Sequence, residues 1–235
     1  GAQMGVLRVD HPDIEEFVHA KRDGSLSNFN MSVAVTDGFM RAVDEDGPFD
    51  LVHEVQPFDA TADTQREDGN WVYRTISARE MWDQIMRSTY NHAEPGVIFI
   101  DKVNADNNLG YTETIAASNP CGEQFLPPYG CCDLGSLNLT RFVADPFGEK
   151  PSFDFERFIR VTSVSVRALD NVLDLTLWPL VQQDREAKEK RRVGLGFTAL
   201  GNTLTMLKMR YDSVEARAFA TKVAQTMRDA AYSTS

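Results

Sequence analysis

Val97-Ile98-Phe99-Ile100-Asp101 is a continuous apolar run of the kind that forms a strand buried on both faces. Pro95-Gly96 turns the chain into it. Ahead of that turn, Ser77 and Glu80 form a capping-box pattern at the head of a helix reaching about His92. Further upstream, Phe29-Asn-Met-Ser-Val-Ala-Val35 alternates and suits a strand, and Thr36 caps a short helix through Val43. Residues 10–22 read as a helix: Asp10 caps it, Pro12 fits the first turn, and Ile14, Phe17, Val18 and Lys21 follow helical spacing before Asp23-Gly24 ends it. Residues 44–75 are rich in Asp, Gly, Pro and Thr and read as an irregular surface excursion with one hairpin.

Downstream, residues 102–152 carry many Asn, Gly and Pro with few clear periods and read as one long loop. A loop of that length inside a compact protein is normally functional. Asp154 to Leu175 is the clearest helix, with Phe155, Phe158, Ile159, Thr162, Val166, Leu169, Val172 and Leu173 on one stripe. Lys188 to Arg192 reads as a solvated basic face. Val193-Gly-Leu-Gly-Phe197 is a short strand running into a helix from Ala199 to Met209, and Ser213 caps a last helix through about Tyr232. Strands alternating with helices place the chain in the α/β class.

The 235 residues are enough for one large or two small domains. Hydrophobic residues make up 42% and charged residues 25%, values that exclude global disorder or a fibrous repeat. The net charge of -11 disfavours a nucleic-acid or anionic-membrane surface, since both need a basic face. No apolar run approaches the roughly 20 residues of a membrane span, and nothing at the start resembles a signal peptide. The opening Gly1-Ala2-Gln3, without an initiator methionine, and the close on Tyr232-Ser-Thr-Ser235 directly after a helical pattern read as an internal piece of a longer protein.

Three cysteines are too few for a disulfide framework. Cys121, Cys131 and Cys132 fall within twelve residues, but not as C-x-x-C, and none of His11, His19, His53 or His92 is close to them in sequence. A zinc site would need a distant ligand, so no metal site is expected. Gly194-Leu-Gly196 with Gly201 has the wrong spacing for a dinucleotide fingerprint and reads as close helix–strand packing.

Asn119, Cys121 and Glu123 stand at i, i+2 and i+4 inside Ser118-Asn-Pro-Cys-Gly-Glu123. In an extended chain they would share a face but span roughly 13 Å, too far to surround one sugar ring. Pro120 and Gly122 can bend the segment and bring an amide, a thiol and a carboxylate around one small polar substrate. The thiol is then the redox-capable or nucleophilic group, the carboxylate a base and the amide an orienter. A carboxylate beside a thiol raises the thiol pKa and opposes a thiolate nucleophile. It does not oppose a neutral sulfur radical, so the pattern favours one-electron chemistry over hydrolysis.

These residues resemble a known family. Ser118-Asn-Pro-Cys-Gly-Glu-Gln124, Leu126-Pro-Pro-Tyr129 and Cys132-Asp-Leu-Gly-Ser-Leu-Asn-Leu139 are similar to the active-site finger loop of ribonucleotide reductase large subunits, most closely the adenosylcobalamin-dependent class II enzymes. Met4–Asp13, Asn28–Ser32, Val166–Asp170 and Arg191–Gly196 fit the same family in order, so the resemblance covers essentially the whole chain. It implies a ten-stranded α/β barrel of two half-barrels, each of five parallel strands, with the finger loop, about residues 116–134, at its centre. The whole chain would be one incomplete piece of that barrel domain. Cys121 is the implied thiyl-radical cysteine that abstracts the ribose 3′ hydrogen. Glu123 is implied to take the 3′-hydroxyl proton, and Asn119 to bond the sugar hydroxyls. Cys132 is implied to be one of two reducing cysteines, its companion lying upstream of residue 1. Ser118, Asn119, Pro120, Cys121, Gly122 and Glu123 would line the substrate site. Gly1, Ala2 and Gln3 resemble the tail of the loop joining the effector site to the substrate base.

The implied activity is radical reduction of ribonucleoside di- or triphosphates to deoxyribonucleotides for DNA synthesis. The implied partners are adenosylcobalamin, held mostly by regions outside this chain, a dNTP or ATP effector, and a thioredoxin-like or dithiol reductant. A cytoplasmic homodimer is the expected whole protein. Two other readings stand beside this one: a large subunit that takes its radical from a metal-containing partner subunit, and a non-catalytic scaffold that retains the fold. The 235 residues alone are expected to be inactive and poorly soluble.

Overall fold

In the computed structural model, residues 2–58 and 64–235 are described, and the chain divides into two compact units, Gly1–Pro128 and Tyr129–Ser235. In the first unit β1 (Gln3–Arg8), α1 (Ile14–His19), β2 (Phe29–Val35) and α2 (Asp37–Asp44) are followed by the antiparallel hairpin β3 (Pro48–His53) and β4 (Trp71–Ser77). Then come α3 (Ala78–His92), β5 (Gly96–Phe99), α4 (Ile100–Ala105) and the two-residue strands β6 (Ala117–Ser118) and β7 (Phe125–Leu126). Strands β1, β2 and β5 form a parallel sheet with β2 in the middle.

Every residue from Met31 to Val35 is buried, as a central strand covered on both faces requires. Val33 and Val35 join a core with Phe39, Leu51, Met81 and Ile85. Ala34, one residue out of phase, packs instead with Ile98, Ile100 and Ile115. The expected caps form: Thr36 Oγ1 accepts from Phe39 N at 3.1 Å and Ser77 Oγ from Glu80 N at 3.2 Å. Each such cap contributes about 1 kcal/mol.

Two boundaries in this unit differ from the sequence reading. The apolar run is strand only to Phe99, because Ile100 opens α4 and Asp101 turns to accept from the Asp37 N–H at 2.8 Å. The helix expected over 10–22 is confined to Ile14–His19. Asp10 does not cap it, because its carboxylate takes two bonds from Arg8, at 3.0 and 2.7 Å. The expected surface excursion does hold the β3–β4 hairpin; its residues 59–63 lie outside the described residues.

The second unit contains β8 (Asp133–Asn138), a 3-10 turn (Leu139–Phe142), the short antiparallel pair β9 (Val143–Ala144) and β10 (Ser152–Phe153), and α5 (Phe155–Leu175). It continues with α6 (Val181–Lys190), β11 (Val193–Thr198), α7 (Leu200–Met206) and α8 (Val214–Thr234). β8 and β11 pair in parallel from Asp133↔Val193 to Asn138↔Thr198. Its core joins Leu139, Phe142, Phe158, Leu204, Phe219 and Val223. Asp154 caps α5 by accepting from Arg157 N at 2.9 Å, and Ser213 caps α8 by accepting from Ala216 N at 3.1 Å.

On α5 the expected stripe narrows, since Ile159 and Val172 are exposed. The segment 102–152 is not one loop but holds α4, four short strands, β8 and the 3-10 turn. The helix expected over Ala199–Met209 is Leu200–Met206. Among the described residues the parallel strands form separate three- and two-stranded sheets and no closed barrel. No described helix is long and apolar enough to cross a membrane.

Candidate active site

The segment Ser118–Glu123 is the tip of a tight hairpin. Ala117 pairs with Leu126 and Ser118 with Phe125, and Asn119 N donates to Gln124 O at 3.1 Å. The tip closes as a turn in which Gly122 N donates to Asn119 O at 3.0 Å. Asn at the first position, Pro at the second and Gly at the fourth is the residue signature of a type I turn. Gly122 sits at φ +80°, a conformation that suits glycine. The Asn119 side chain fastens the turn: Oδ1 accepts from Gln124 N at 2.8 Å. The buried Ser118 hydroxyl lies 3.1 Å from Asn119 O and 3.3 Å from Asn119 Oδ1, and shares its proton with them.

Cys121 is therefore lifted to the third position of a turn, and its side chain is exposed, as is that of Glu123. The turn borders a cavity of about 400 Å³. Met4, Ser32, Ile98 and Phe99 form its sheet wall, and Pro120, Cys121 and Gly122 its hairpin wall. Phe125 anchors the hairpin to the apolar face that carries Ala34, Ile98 and Ile115. Of the terminal residues, Gly1 lies outside the described residues, Ala2 precedes β1, and Gln3 is the first strand residue, donating its N–H to Asn28 O at 2.9 Å.

The unit boundary falls between Cys121 and Cys132. In the second unit, Cys131 and Cys132 are half-buried just ahead of β8, and the Cys132 thiol donates to Asp133 O at 3.5 Å. Burial pushes the Cys131 thiol above its ordinary value, opposed by the charge of Arg192 and assisted by Glu186 and Asp133. Both carboxylate oxygens of Asp133 are buried without a hydrogen-bond partner. Burial, and then the charge of Asp170, pushes this carboxyl above its ordinary value.

Arg191 was expected on a solvated basic face but is a clamp. It donates to Asp170 Oδ1 at 2.6 Å, to the Asp170 carbonyl at 3.1 Å and to Asp174 Oδ1 at 2.9 Å, tying the start of β11 to α5. Asp170 is held below the usual carboxylate range by its bond to Arg191. Among the described residues no group of three or more His, Cys, Asp or Glu is placed to hold a metal ion. Sequence reasoning missed Ser32 and Asp133. The available signals were a hydroxyl interrupting an apolar strand and an acid at the head of a strand.

A parallel α/β chain with an exposed thiol set on a turn between an amide and a carboxylate defines the class of site. The family model for the ribonucleotide reductase barrel domain matches residues 1–235, and the chain belongs to that family. It is 37% identical, over its full length, to the vitamin B12-dependent ribonucleoside-diphosphate reductase of Thermoplasma acidophilum, of which it covers 29%. It is 38% identical, again over its full length, to the enzyme of the same name from Mycobacterium tuberculosis, of which it covers 32%. The ribonucleoside-diphosphate reductase large chain of Neurospora crassa is 26% identical over the whole chain, which covers 27% of it. The chain thus spans about a third of the length of these relatives.

Proposed function

We propose that this chain carries the chemical centre of a vitamin B12-dependent ribonucleotide reductase, which converts ribonucleoside di- or triphosphates to 2′-deoxyribonucleotides. The observation that carries the reading is the exposed Cys121 on the turn between Asn119 and Glu123, in a chain matched end to end by the family. β1, β2 and β5 in the first unit, and β8 and β11 in the second, run parallel to their partners within their own sheets, as strands of an α/β barrel do. On this reading residues 1–235 are one part of that barrel domain, with residues 116–134 as its finger loop.

In the proposed chemistry the Cys121 sulfur, as a radical, removes the 3′ hydrogen of the ribose. Glu123 accepts the 3′-hydroxyl proton, and the Asn119 amide holds the sugar hydroxyls. The 2′-hydroxyl leaves as water. Cys132 and a second thiol from elsewhere in the protein supply two electrons and two protons, ending as a disulfide. The balance is ribonucleotide plus dithiol to deoxyribonucleotide, water and disulfide. At the end Cys121 gives the abstracted hydrogen back to the 3′ carbon and is left as the sulfur radical that began the cycle.

Adenosylcobalamin supplies, when bound, the organic radical that removes the thiol hydrogen. The residues present fit such a group, because Cys121 opens onto a cavity with the apolar walls Met4, Phe99 and Phe125 and a hydroxyl at Ser32. The higher identity to the B12-dependent relatives than to the Neurospora large chain favours this radical source over a metal-containing partner subunit. A dNTP or ATP effector, a thioredoxin-like or dithiol reductant, a homodimeric whole and a cytoplasmic setting complete the reading.

The test is Cys121→Ser in the complete protein. Turnover should vanish while nucleotide binding stays within about twofold of wild type. Clear residual reduction would overturn the radical role, because oxygen cannot hold the radical at a comparable bond energy.

A further inference from the structure

Ser32 is the polar interruption in the buried run Met31–Val35 and is only 7% exposed. Alternation along β2 puts it on the face of Ala34, away from the core that holds Val33 and Val35. On that face it lines the cavity beside Cys121, where its sheet neighbours Met4, Ile98 and Phe99 are apolar. Its hydroxyl makes no hydrogen bond among the described residues and points to the side where Gly96 lacks a side chain. The oxygen opens onto the cavity and is not sealed into the core, so it is placed to bond a ligand there.

Gly96 stands opposite Ser32 in the β2–β5 register. A Cβ at Gly96 would come within 2.7 Å of Ser32 Oγ. The glycine therefore leaves the hydroxyl its position, and the two residues form one feature of the cavity wall.

We propose that Ser32 is a ligand-binding residue whose hydroxyl hydrogen-bonds a ribose hydroxyl of the molecule brought against Cys121. A serine hydroxyl both donates and accepts, which matches another hydroxyl. The cationic side chain on the cavity, Lys102, is paired with Asp106, so the wall suits the uncharged sugar of a nucleotide rather than its phosphates. This assignment rests on the reductase reading. It leaves two sources of the same chemistry: the ribose of the substrate nucleotide and the ribose of the adenosyl group.

The experiment uses the complete protein as wild type, Ser32→Ala and Gly96→Ala. The KM for the nucleotide and the Kd for adenosylcobalamin by equilibrium dialysis are measured, with the thermal midpoint as a folding control. Losing one neutral hydrogen bond should weaken one ligand about three- to tenfold. Gly96→Ala should reproduce the effect, because its methyl displaces the hydroxyl. A rise in the nucleotide KM assigns the bond to the substrate ribose, and a rise in the cobalamin Kd assigns it to the adenosyl ribose. Both constants within 1.5-fold of wild type in folded Ser32→Ala and Gly96→Ala proteins would overturn the proposal. A wild-type protein that binds neither ligand would overturn the reductase reading itself, a distinct result.

Discussion

Asn119 uses the two ends of its amide differently, and replacing it in two ways separates them. A backbone N–H can only donate, so the bond from Gln124 N, at 2.8 Å, fixes Oδ1 as the end that fastens the turn. Nδ2 is then the end left for a substrate hydroxyl. Asn119→Asp keeps an acceptor where Gln124 needs one and deletes the N–H donors. Asn119→Ala deletes both. One neutral hydrogen bond to the sugar is worth about 0.5–1.5 kcal/mol, so Asn119→Asp should lower kcat/KM in the complete protein about three- to tenfold. Asn119→Ala also loosens the turn that positions Cys121, and misplacing a reacting group can cost roughly a hundredfold.

Hydrogen exchange at the Gln124 amide reads the turn independently of activity. It should stay protected in Asn119→Asp and exchange about fivefold faster in Asn119→Ala, as loss of about 1 kcal/mol of local stability dictates. Equal loss of protection in both variants would refute the division of labour. So would wild-type kcat/KM in Asn119→Ala.

Three further outcomes are expected. Cys132→Ser in the complete protein should let attack at the 3′ position begin but stall reduction, seen by chromatography as free base released in place of product; normal multiple turnover with a dithiol would point to Cys131 instead. Asp133→Asn should raise stability at neutral pH, since it removes a charge that burial disfavours. Burial raises the folded-state pKa of Asp133 above its unfolded value near 3.8. The wild-type penalty is therefore full above the folded pKa and fades as pH falls toward 3.8, so denaturation curves of the two proteins should converge in acid. Residues 1–235 alone should form no deoxynucleotide with cobalamin and a dithiol, and a soluble, active monomer in ultracentrifugation would contradict that.

What was legible in the sequence was local. Ser77, Asp154 and Ser213 each place an oxygen one turn before a backbone N–H, so their helices begin where the residues say. The turn at Asn119-Pro-Cys-Gly122 was legible for the same reason, since each residue suits its own position. What escaped was non-local. β8 reads Asp-Leu-Gly-Ser-Leu-Asn, poor in strand formers, and becomes a strand through pairing with β11 and cover from α5. Gly135 is part of that cover, because a Cβ there would already touch Leu169 at 3.4 Å. α6 has no apolar stripe to read; Lys188–Asp184, Arg185–Glu189 and Lys190–Glu186 pairs spaced by four run along it instead. Ser32 was invisible as a site residue because its meaning depends on Gly96 across the sheet and Cys121 on a hairpin far along the chain.

The surroundings of Cys121 bear on which chemistry its sulfur performs. A thiolate nucleophile needs a neighbouring base or cation to hold its charge. None of the four histidines lines the cavity at Cys121. His11 and His53 meet edge to face with ring centroids 5.4 Å apart, and His19 bonds Gln84. The cation on that cavity, Lys102, is paired with Asp106, and the acid nearest in sequence is Glu123, two residues on. A sulfur radical carries no charge and pays nothing for that neighbour, while the same carboxylate remains useful as the base for a sugar hydroxyl. With no histidine lining that cavity a Cys–His hydrolase has no support there, and the proposed reading is hydrogen-atom chemistry on a sugar ring. That is why the exposed thiol, more than the sheet beneath it, carries the reductase reading.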